Sequence, residues 1–370
     1  MKVKAVRGTN FKNYDDINLE FSDICNIIYG SNGSGKTNFL DLIHVSALGK
    51  SYFSITDKQA IKNNHDFFRI EVKFLTDQDE TITSAVSIPK VGKKKIWLNG
   101  NLLKRNSEIL GSIPIVCVVP DDIDIIRGSS IVRRKFINRI LCQIDPSYTE
   151  SLLSYDQILK QKLSLLKNGK SVLELDQSLL DTYDQLLYNH ATIIHAKRGE
   201  FCTDFLPHFT KIHSDITDQK ETAQIVYQSN FSPDTFLADS KSNRDLDFYT
   251  KRVRKGVHRD DINLLIDEID VRKFASQGQK KTFIYALKFS EYLYLANQSK
   301  KRPLMLLDDI FEKLDQERLK HLFEVLTSSN FGQIFITDTE RNRSSDILKE
   351  LNINFQTFKV QDNTITPFNG

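Results

Sequence analysis

The feature that most constrains this 370-residue chain is an eight-residue stretch near its start, Gly30-Ser31-Asn32-Gly33-Ser34-Gly35-Lys36-Thr37. It fits the pattern G-x-x-x-x-G-K-[ST] at every fixed position. Its flanks fit as well. The apolar run Ile24-Cys25-Asn26-Ile27-Ile28 precedes it as a short buried strand, and Phe39, Leu40, Leu42 and Ile43 follow as a helix. Glycines allow such a loop to wrap so that successive backbone N–H groups point at phosphates, and the helix N-terminus adds positive potential. Lys36 is expected to reach the β- and γ-phosphates of ATP, and the Thr37 hydroxyl to ligate Mg²⁺. Gly30 to Thr37 are therefore the candidate nucleotide contacts.

A second element supports this reading. Leu304-Met305-Leu306-Leu307-Asp308-Asp309 reads as a buried parallel strand ending in two carboxylates. Beside a phosphate loop, Asp308 is expected to hold Mg²⁺ through water. Asp309 sits where a base can orient the attacking water. Taken alone, the pair is an acidic turn after a core strand. The loop upstream gives it a chemical role.

The organisation of the chain follows from its apolar periodicity. The first part reads as strands: residues 17–21 alternate, and Lys95-Ile96-Trp97-Leu98-Asn99-Gly100-Asn101-Leu102-Leu103 predicts a hairpin, because Asn-Gly supplies two positive-φ positions. Ile113 to Val119 predicts another buried strand. From about Val132 to Leu206 the pattern turns helical. Leu152, Tyr155, Leu159, Leu163 and Leu166 mark one face, and Leu179, Tyr183, Leu187, Ile194 and Phe201 mark a second helix. Each exposes an apolar stripe when alone, so antiparallel pairing across a turn at Gly169-Lys170 is expected. Residues 208 to 250 are polar and carry little pattern. After Val271 an α/β pattern returns, with a helix over Gln279–Ala296, a strand over Pro303–Leu307, a helix over Gln316–Thr327 and a strand over Gln333–Ile336. One α/β domain is thus expected from both ends of the chain, residues 1–130 with 255–370, around an inserted helical arm, residues 131–254.

Charge and cysteines narrow the class further. The net charge of +3 is too small to mark a nucleic-acid binder by itself, so any basic surface must be local. The candidates are Lys93-Lys94-Lys95, Arg133-Arg134-Lys135 and Lys251-Arg252-Val253-Arg254-Lys255. Each reads equally as a phosphate contact without sequence preference or as solvated surface. Four cysteines at 25, 117, 142 and 202 form no CxxC pair, and two lie in apolar runs, as in reduced cytosolic proteins. Met1-Lys2-Val3-Lys4-Ala5-Val6 reads as a strand and not a signal peptide. No apolar run approaches the ~20 residues of a membrane span. A soluble, cytoplasmic protein with no membrane partner is expected. His190, His195, His208 and His213 have poor spacing for two ligands on one helical face, which argues against a metal site there.

Ser276-Gln277-Gly278-Gln279 stands just before the long helix that leads to the Asp308-Asp309 strand. This order resembles the signature motif of ABC-type ATPases. The resemblance implies an ABC-type P-loop ATPase head, a mixed sheet with flanking helices. In such heads Ser276, Gly278 and the helix start at Gln279 would bind the γ-phosphate held by a partner's loop. The same serine also reads as a plain helix cap. Leu314-Asp315 resembles the D-loop that crosses the dimer interface. Ile334-Phe335-Ile336-Thr337-Asp338 resembles the strand before the switch residue, where transporter ATPases carry His. Asp338 is a departure there, and it points to slow hydrolysis.

Lys36 and Ser276 are 240 positions apart, far too few for the coiled coil of an SMC-type head. Several stretches are instead similar to the RecF family. They are Gly35-Lys36-Thr37-Asn38, Gly49-Lys50-Ser51, Pro120-Asp121-Asp122-Ile123-Asp124 with Arg133-Arg134-Lys135-Phe136, and Gln143-Ile144-Asp145-Pro146-Ser147-Tyr148. Further along come His258-Arg259-Asp260-Asp261, Phe274-Ala275-Ser276-Gln277-Gly278-Gln279 and Leu307-Asp308-Asp309-Ile310-Phe311-Glu312-Lys313-Leu314-Asp315. Gly256-Val257-His258 departs from the more usual Gly-Pro-His. The resemblance spans residues 1 to about 340. It implies a cytoplasmic homodimer closing around two ATP molecules, with slow hydrolysis, that binds single- and double-stranded DNA at junctions or gaps. It also implies action with RecO and RecR in recombinational repair to promote RecA loading. Competing readings are a transporter ATPase subunit, a non-hydrolysing DNA-binding structural protein, and an ATPase–nuclease fusion. The first is disfavoured by the absent switch His and the helical insert, and the last by the short stretch after residue 340.

Overall fold

The computed structural model describes residues 1–21, 24–53, 55–169, 171, 174–309 and 331–368. The expected D-loop Leu314-Asp315 and the helix expected over Gln316–Thr327 lie outside them, as does Lys170. Two compact units are present: Met1–Asp122 with Leu287–Gly370, and Ile123–Ala286.

In the first unit, strands β1 (Lys2–Phe11) and β2 (Tyr14–Glu20) form a hairpin, followed by β3 (Cys25–Tyr29) and helix α1 (Lys36–Leu48). Then come β4 (Phe67–Leu75), β5 (Thr81–Pro89), β6 (Lys95–Leu98), β7 (Asn101–Leu102) and β8 (Ile115–Val118). The β6–β7 connection is the Asn99-Gly100 turn expected from sequence, with φ values of 51° and 79°. Six strands build an antiparallel sheet in the order β2-β1-β4-β5-β6-β7. Its strands alternate: β4 buries Phe68, Ile70, Val72 and Phe74 and turns the residues between them outward or toward the rim.

The second sheet of this unit is built from both ends of the chain. Its later members are β12 (Leu304–Leu307), β13 (Ile334–Asp338), β14 (Phe355–Gln361) and β15 (Thr364–Pro367), named after the strands β9 to β11 of the other unit. The order is β15-β14-β3-β13-β12-β8, with β14, β3, β13, β12 and β8 parallel and β15 antiparallel at the edge. Every residue of β8, β12 and β13 is buried, which is why these strands read as unbroken apolar runs and not as alternating ones. Helix α1 contacts β4 and β5 of one sheet and β8 and β13 of the other. It is therefore buried nearly all round, including Phe39, Leu42, Ile43 and Ala47.

The second unit is led by helices: α2 (Asp124–Arg127), α3 (Ser130–Leu141), α4 (Pro146–Asn168) and α5 (Gln177–Ile216). Asp145 caps α4 through the Tyr148 N–H at 2.9 Å, with Pro146 at the first helical position. Helices α4 and α5 run antiparallel, since Tyr148 meets Arg198 and Lys162 meets Asp184. The stripe on α5 differs from the one expected. Leu179 and Tyr183 are only half-buried, and the buried face is Leu180, Asp184, Leu187, Ala191, Ile194, Arg198, Phe201 and Phe205. The seven-residue steps in the apolar pattern are filled by Ala191 and by the charged Arg198, which a hydrophobic count passes over.

Helix α5 also continues past Pro207, where sequence rules place a stop. Pro207 lies on the exposed face. Phe209, Ile212 and Ile216 beyond it are buried, and the Phe209 ring packs 4.8 Å from that of Phe283. That burial outweighs one lost backbone bond. The patternless region 208–250 then resolves into β9 (Ala223–Gln228), α6 (Phe236–Ser242) and α7 (Arg244–Thr250). With β10 (Asp261–Ile266) and β11 (Ile269–Asp270), β9 makes a three-stranded antiparallel sheet, so this unit is not purely helical. Short α8 (Val271–Phe274) precedes α9 (Gln277–Ser299).

Two buried ionic networks organise the second unit. Arg198, 2% exposed, donates to Asp260 Oδ2 (2.8 Å), the Val257 carbonyl (2.8 Å), Asn138 Oδ1 (3.0 Å) and Tyr148 Oη (3.1 Å). Asp260 in turn accepts from Tyr227 Oη, Ser229 Oγ and the Asn230 N–H. Nearby, Arg133 forks onto Asp261 at 2.6 and 3.0 Å. The RecF-like stretches Gln143–Tyr148 and His258–Asp261 thus meet at one structural hub. The second network joins Lys162, Asp184 and Arg244. His258 belongs to the first hub: its Nε2 donates to the Val253 carbonyl (2.9 Å), which leaves Nδ1 to accept from Tyr155 Oη (2.6 Å). Burial holds this imidazole neutral, with its pKa pulled down to about 4.

Candidate nucleotide site

The loop Gly30–Thr37 leaves the carboxyl end of β3 and enters α1, as expected. Two glycines are forced by their surroundings. A Cβ on Gly30 would meet the Val360 carbonyl oxygen at 2.5 Å. Gly35 has φ of 115° and lies against the Asn13 amide. Lys36 bends back over the loop, its ammonium donating to the carbonyls of Gly30 (2.8 Å) and Ser31 (3.0 Å). The β1–β2 turn braces the loop from the side. Asn13 Nδ2 donates to the Ser34 carbonyl (3.2 Å), Tyr14 Oη donates to the Gly35 carbonyl (3.0 Å), and Asn38 Nδ2 donates to Asn13 Oδ1 (2.8 Å).

Strand order brings the acidic pair to the same edge. β13 lies between β3 and β12, and the β12–β13 register sets Leu307 opposite Ile336. The next residues, Asp308 and Thr337, therefore meet at the carboxyl ends of these strands. Thr37 Oγ1 donates to Asp308 Oδ2 (2.8 Å), and Thr337 Oγ1 donates to Asp308 Oδ1 (2.7 Å). Thr337 Oγ1 also accepts from the Asp309 N–H (2.9 Å), which fixes the turn that carries Asp309 at φ 49°. Burial pushes the Asp308 carboxyl up, and the hydrogen bonds from Thr337 and Thr37 and the Lys36 charge work against that. Asn32, Gly33, Gly35, Lys36, Thr37, Asp308 and Asp309 line an open cleft of about 190 Å³.

Thr337, Asn13 and Tyr14 also belong to the site, and no local sequence signal marks them as site residues. Thr337 carries no motif, and its role comes from strand register. Asp338, at the switch position, is buried. It accepts from the Glu340 N–H (3.1 Å) and from Ser344 Oγ, so it anchors the start of the helix Arg341–Glu350.

Ser276 is placed at the head of α9. The cap is reciprocal: the Gln279 N–H donates to Ser276 Oγ (3.2 Å), and the Ser276 N–H donates to Gln279 Oε1 (2.8 Å). Helix α9 therefore starts two residues earlier than expected, with Gln277 and Gly278 in its first turn. Phe274, just upstream, is 72% exposed.

The basic clusters divide once their contacts are known. Arg133 is buried in its fork with Asp261, and Arg134 donates to the Asp260 carbonyl (2.6 Å). Lys94 is tied to Asp57 and the Gly49 carbonyl, and Lys251 to the Leu166 carbonyl. Lys93, Lys95, Lys135, Arg252 and Arg254 are exposed. Among the described residues no helix is long and apolar enough to cross a membrane, and no cluster of His, Cys, Asp and Glu is arranged to hold a metal ion.

The profile of the RecF/RecN/SMC N terminal domain matches residues 2–366. A DNA replication and repair protein RecF from Flavobacterium johnsoniae is 36% identical over 97% of this chain and 99% of its own length. The protein of the same name from Phocaeicola vulgatus is 34% identical over 99% and 98%. The chain belongs to the RecF family. A solved structure of the recombination mediator protein RecF in the RecFOR pathway, as RecF-ATP, superposes with a TM-score of 0.90 at 28% identity, covering 100% of this chain and 98% of that one. An SMC head bound to the C-winged helix domain of ScpA matches at TM-score 0.57 and 16% identity, which shows a shared fold. RecF membership sets aside the transporter reading. The ABC-type head inferred from the loop, the signature and the Asp-Asp strand is the fold observed.

Proposed function

We propose that this chain is an ATP-switched DNA-binding protein of recombinational repair and replication. The observation that carries the nucleotide part is the meeting of Thr37 and Asp308 beside a glycine-rich loop at a helix start. The loop fits the ligand in a second respect: Ser34 Oγ is buried and has no partner among the described residues. A phosphate oxygen would complete it. Two hard oxygen donors, the Thr37 hydroxyl and the Asp308 carboxylate, suit Mg²⁺. When bound there, Mg²⁺ would be held by Thr37 and Asp308 and would supply positive charge against the phosphates.

The chain's own groups do the rest. Backbone N–H groups from Gly33 to Thr37 cradle the phosphates, and Lys36 swings from the loop carbonyls to the β- and γ-oxygens. Asp309, set on the turn held by Thr337, orients the attacking water. Hydrolysis is slow, because Asp338 is committed to the following helix and supplies no switch His. Ser276, Gly278 and the α9 start at Gln279 bind the γ-phosphate held by a second copy, so ATP closes a homodimer. DNA, single- or double-stranded and at junctions or gaps, is held through its phosphates by exposed residues such as Lys93, Lys95, Arg252 and Arg254 without base reading. The RecFOR pathway named for the solved relative supports RecO and RecR as partners; RecA loading as the outcome and the cytoplasm as the compartment belong to the same proposal.

Ser276→Arg tests the dimer. The variant is expected to bind a fluorescent ATP analogue within about threefold of wild type, since the side chain is outside its own loop, yet to remain monomeric with ATP and Mg²⁺. An ATP-dependent dimer of normal strength in Ser276→Arg would refute the trans role.

A further inference from the structure

The Ser276 hydroxyl can serve a second copy only if its free proton points away from α9. Its oxygen already accepts from the Gln279 N–H, so the cap itself turns the O–H outward. The other half of the cap depends on which way the Gln279 side-chain amide faces. Its Oε1 must meet the Ser276 N–H, and an amide can flip. The Ser276 N–H can only donate and so favours Oε1, and one side chain reinforces that choice: Glu221 Oε1 accepts from Gln279 Nε2 at 2.9 Å. A carboxylate only accepts, so Glu221 selects the nitrogen and sends Oε1 to Ser276.

We infer that Glu221 is a positioning residue for the signature, locking the Gln279 amide so that the Ser276 hydroxyl is presented to the nucleotide of a second copy. This rests on the trans reading of Ser276 given above. Glu221 is well placed for the task. It lies between α5 and β9 on a turn pinned by two bonds between Thr222 and Asp267, each 2.9 Å. Behind it stands the fully buried His213, whose Nε2 is 3.8 Å from Glu221 Oε2, beyond hydrogen-bond range. The other glutamine of the motif is held too: Arg127 donates to Gln277 Oε1. The signature of this chain is thus gripped by side chains from two other segments of its own unit.

Glu221→Ala frees the amide, and a two-fold dimer contains the loss twice. The expected result is unchanged ATP binding by the monomer and a melting temperature within a few degrees of wild type. The dimer dissociation constant measured with ATP and Mg²⁺ rises about a hundredfold, tenfold for each charge-assisted bond. Glu221→Gln keeps an acceptor oxygen at the same reach but not the charge, and is expected to restore part of the dimer. Normal dimerisation of Glu221→Ala beside a dimerising wild type overturns the inference alone. Equal loss in Glu221→Gln, or a collapse in melting temperature that accompanies the loss, also overturns it by marking a merely structural role. A wild type that never dimerises overturns the trans reading and this inference with it.

Discussion

Lys36→Ala is expected to weaken ATP binding by about a hundredfold or more, because it removes one partner of a close charge pair while leaving the phosphates in place. The structure explains why little else should change. The Lys36 ammonium donates to the Gly30 and Ser31 carbonyls of its own loop. Alanine is a good first-turn residue for α1. The fold should therefore persist, with the melting temperature close to wild type, and the loss should appear as affinity. Titration with a fluorescent ATP analogue reads it directly. Affinity within threefold of wild type would remove Lys36, and with it the loop, from the nucleotide site.

Arg198→Ala is expected to cost the second unit about 3–5 kcal/mol, the penalty for removing one partner of a buried pair. Arg198 is 2% exposed and binds four partners from α3, α4 and the Val257–Asp260 turn. Its loss strands Asp260, 1% exposed, with neutral donors only. Against a typical domain stability of ~5–15 kcal/mol, that is a large share. Urea unfolding followed by far-UV ellipticity, which α4 and α5 dominate in this unit, reads the change. Adding Asp260→Asn removes the stranded charge and should recover part of the loss, the coupling a double-mutant cycle reports. A loss below 1 kcal/mol, or no recovery in the double variant, contradicts the hub.

These two residues also show what sequence could and could not reveal. Lys36 was legible because a phosphate loop concentrates its chemistry in eight consecutive residues, and Asp308 because a buried strand runs straight into it. Arg198 and Asp184 were not, because buried charges break an apolar stripe and read as surface. Thr337 was visible as part of a strand, but its contact with Asp308 depends on parallel register, which no local pattern encodes. The β9–β10 pair went unread because β9, Ala-Gln-Ile-Val-Tyr-Gln, is short and half-polar and pairs with a strand more than thirty positions on. In the basic cluster Arg133-Arg134-Lys135, which reads from sequence equally as phosphate contact or solvated surface, Arg133 is buried against Asp261. A motif marks Asp309, Ser276 and Gln279, whereas the Ser276–Gln279 cap and the bond from the Asp309 N–H to Thr337 come from geometry.

ATP is expected to join two copies of this chain, and the joined form to hold DNA. The most direct measurement is molecular mass by light scattering, with and without ATP and Mg²⁺, repeated with a gapped duplex. The 42.7 kDa chain should double its mass only when both are present, and the doubled species should retain the duplex with an affinity that falls steeply as salt rises. A chain that stays at its monomer mass at saturating ATP and ignores the duplex would contradict the account.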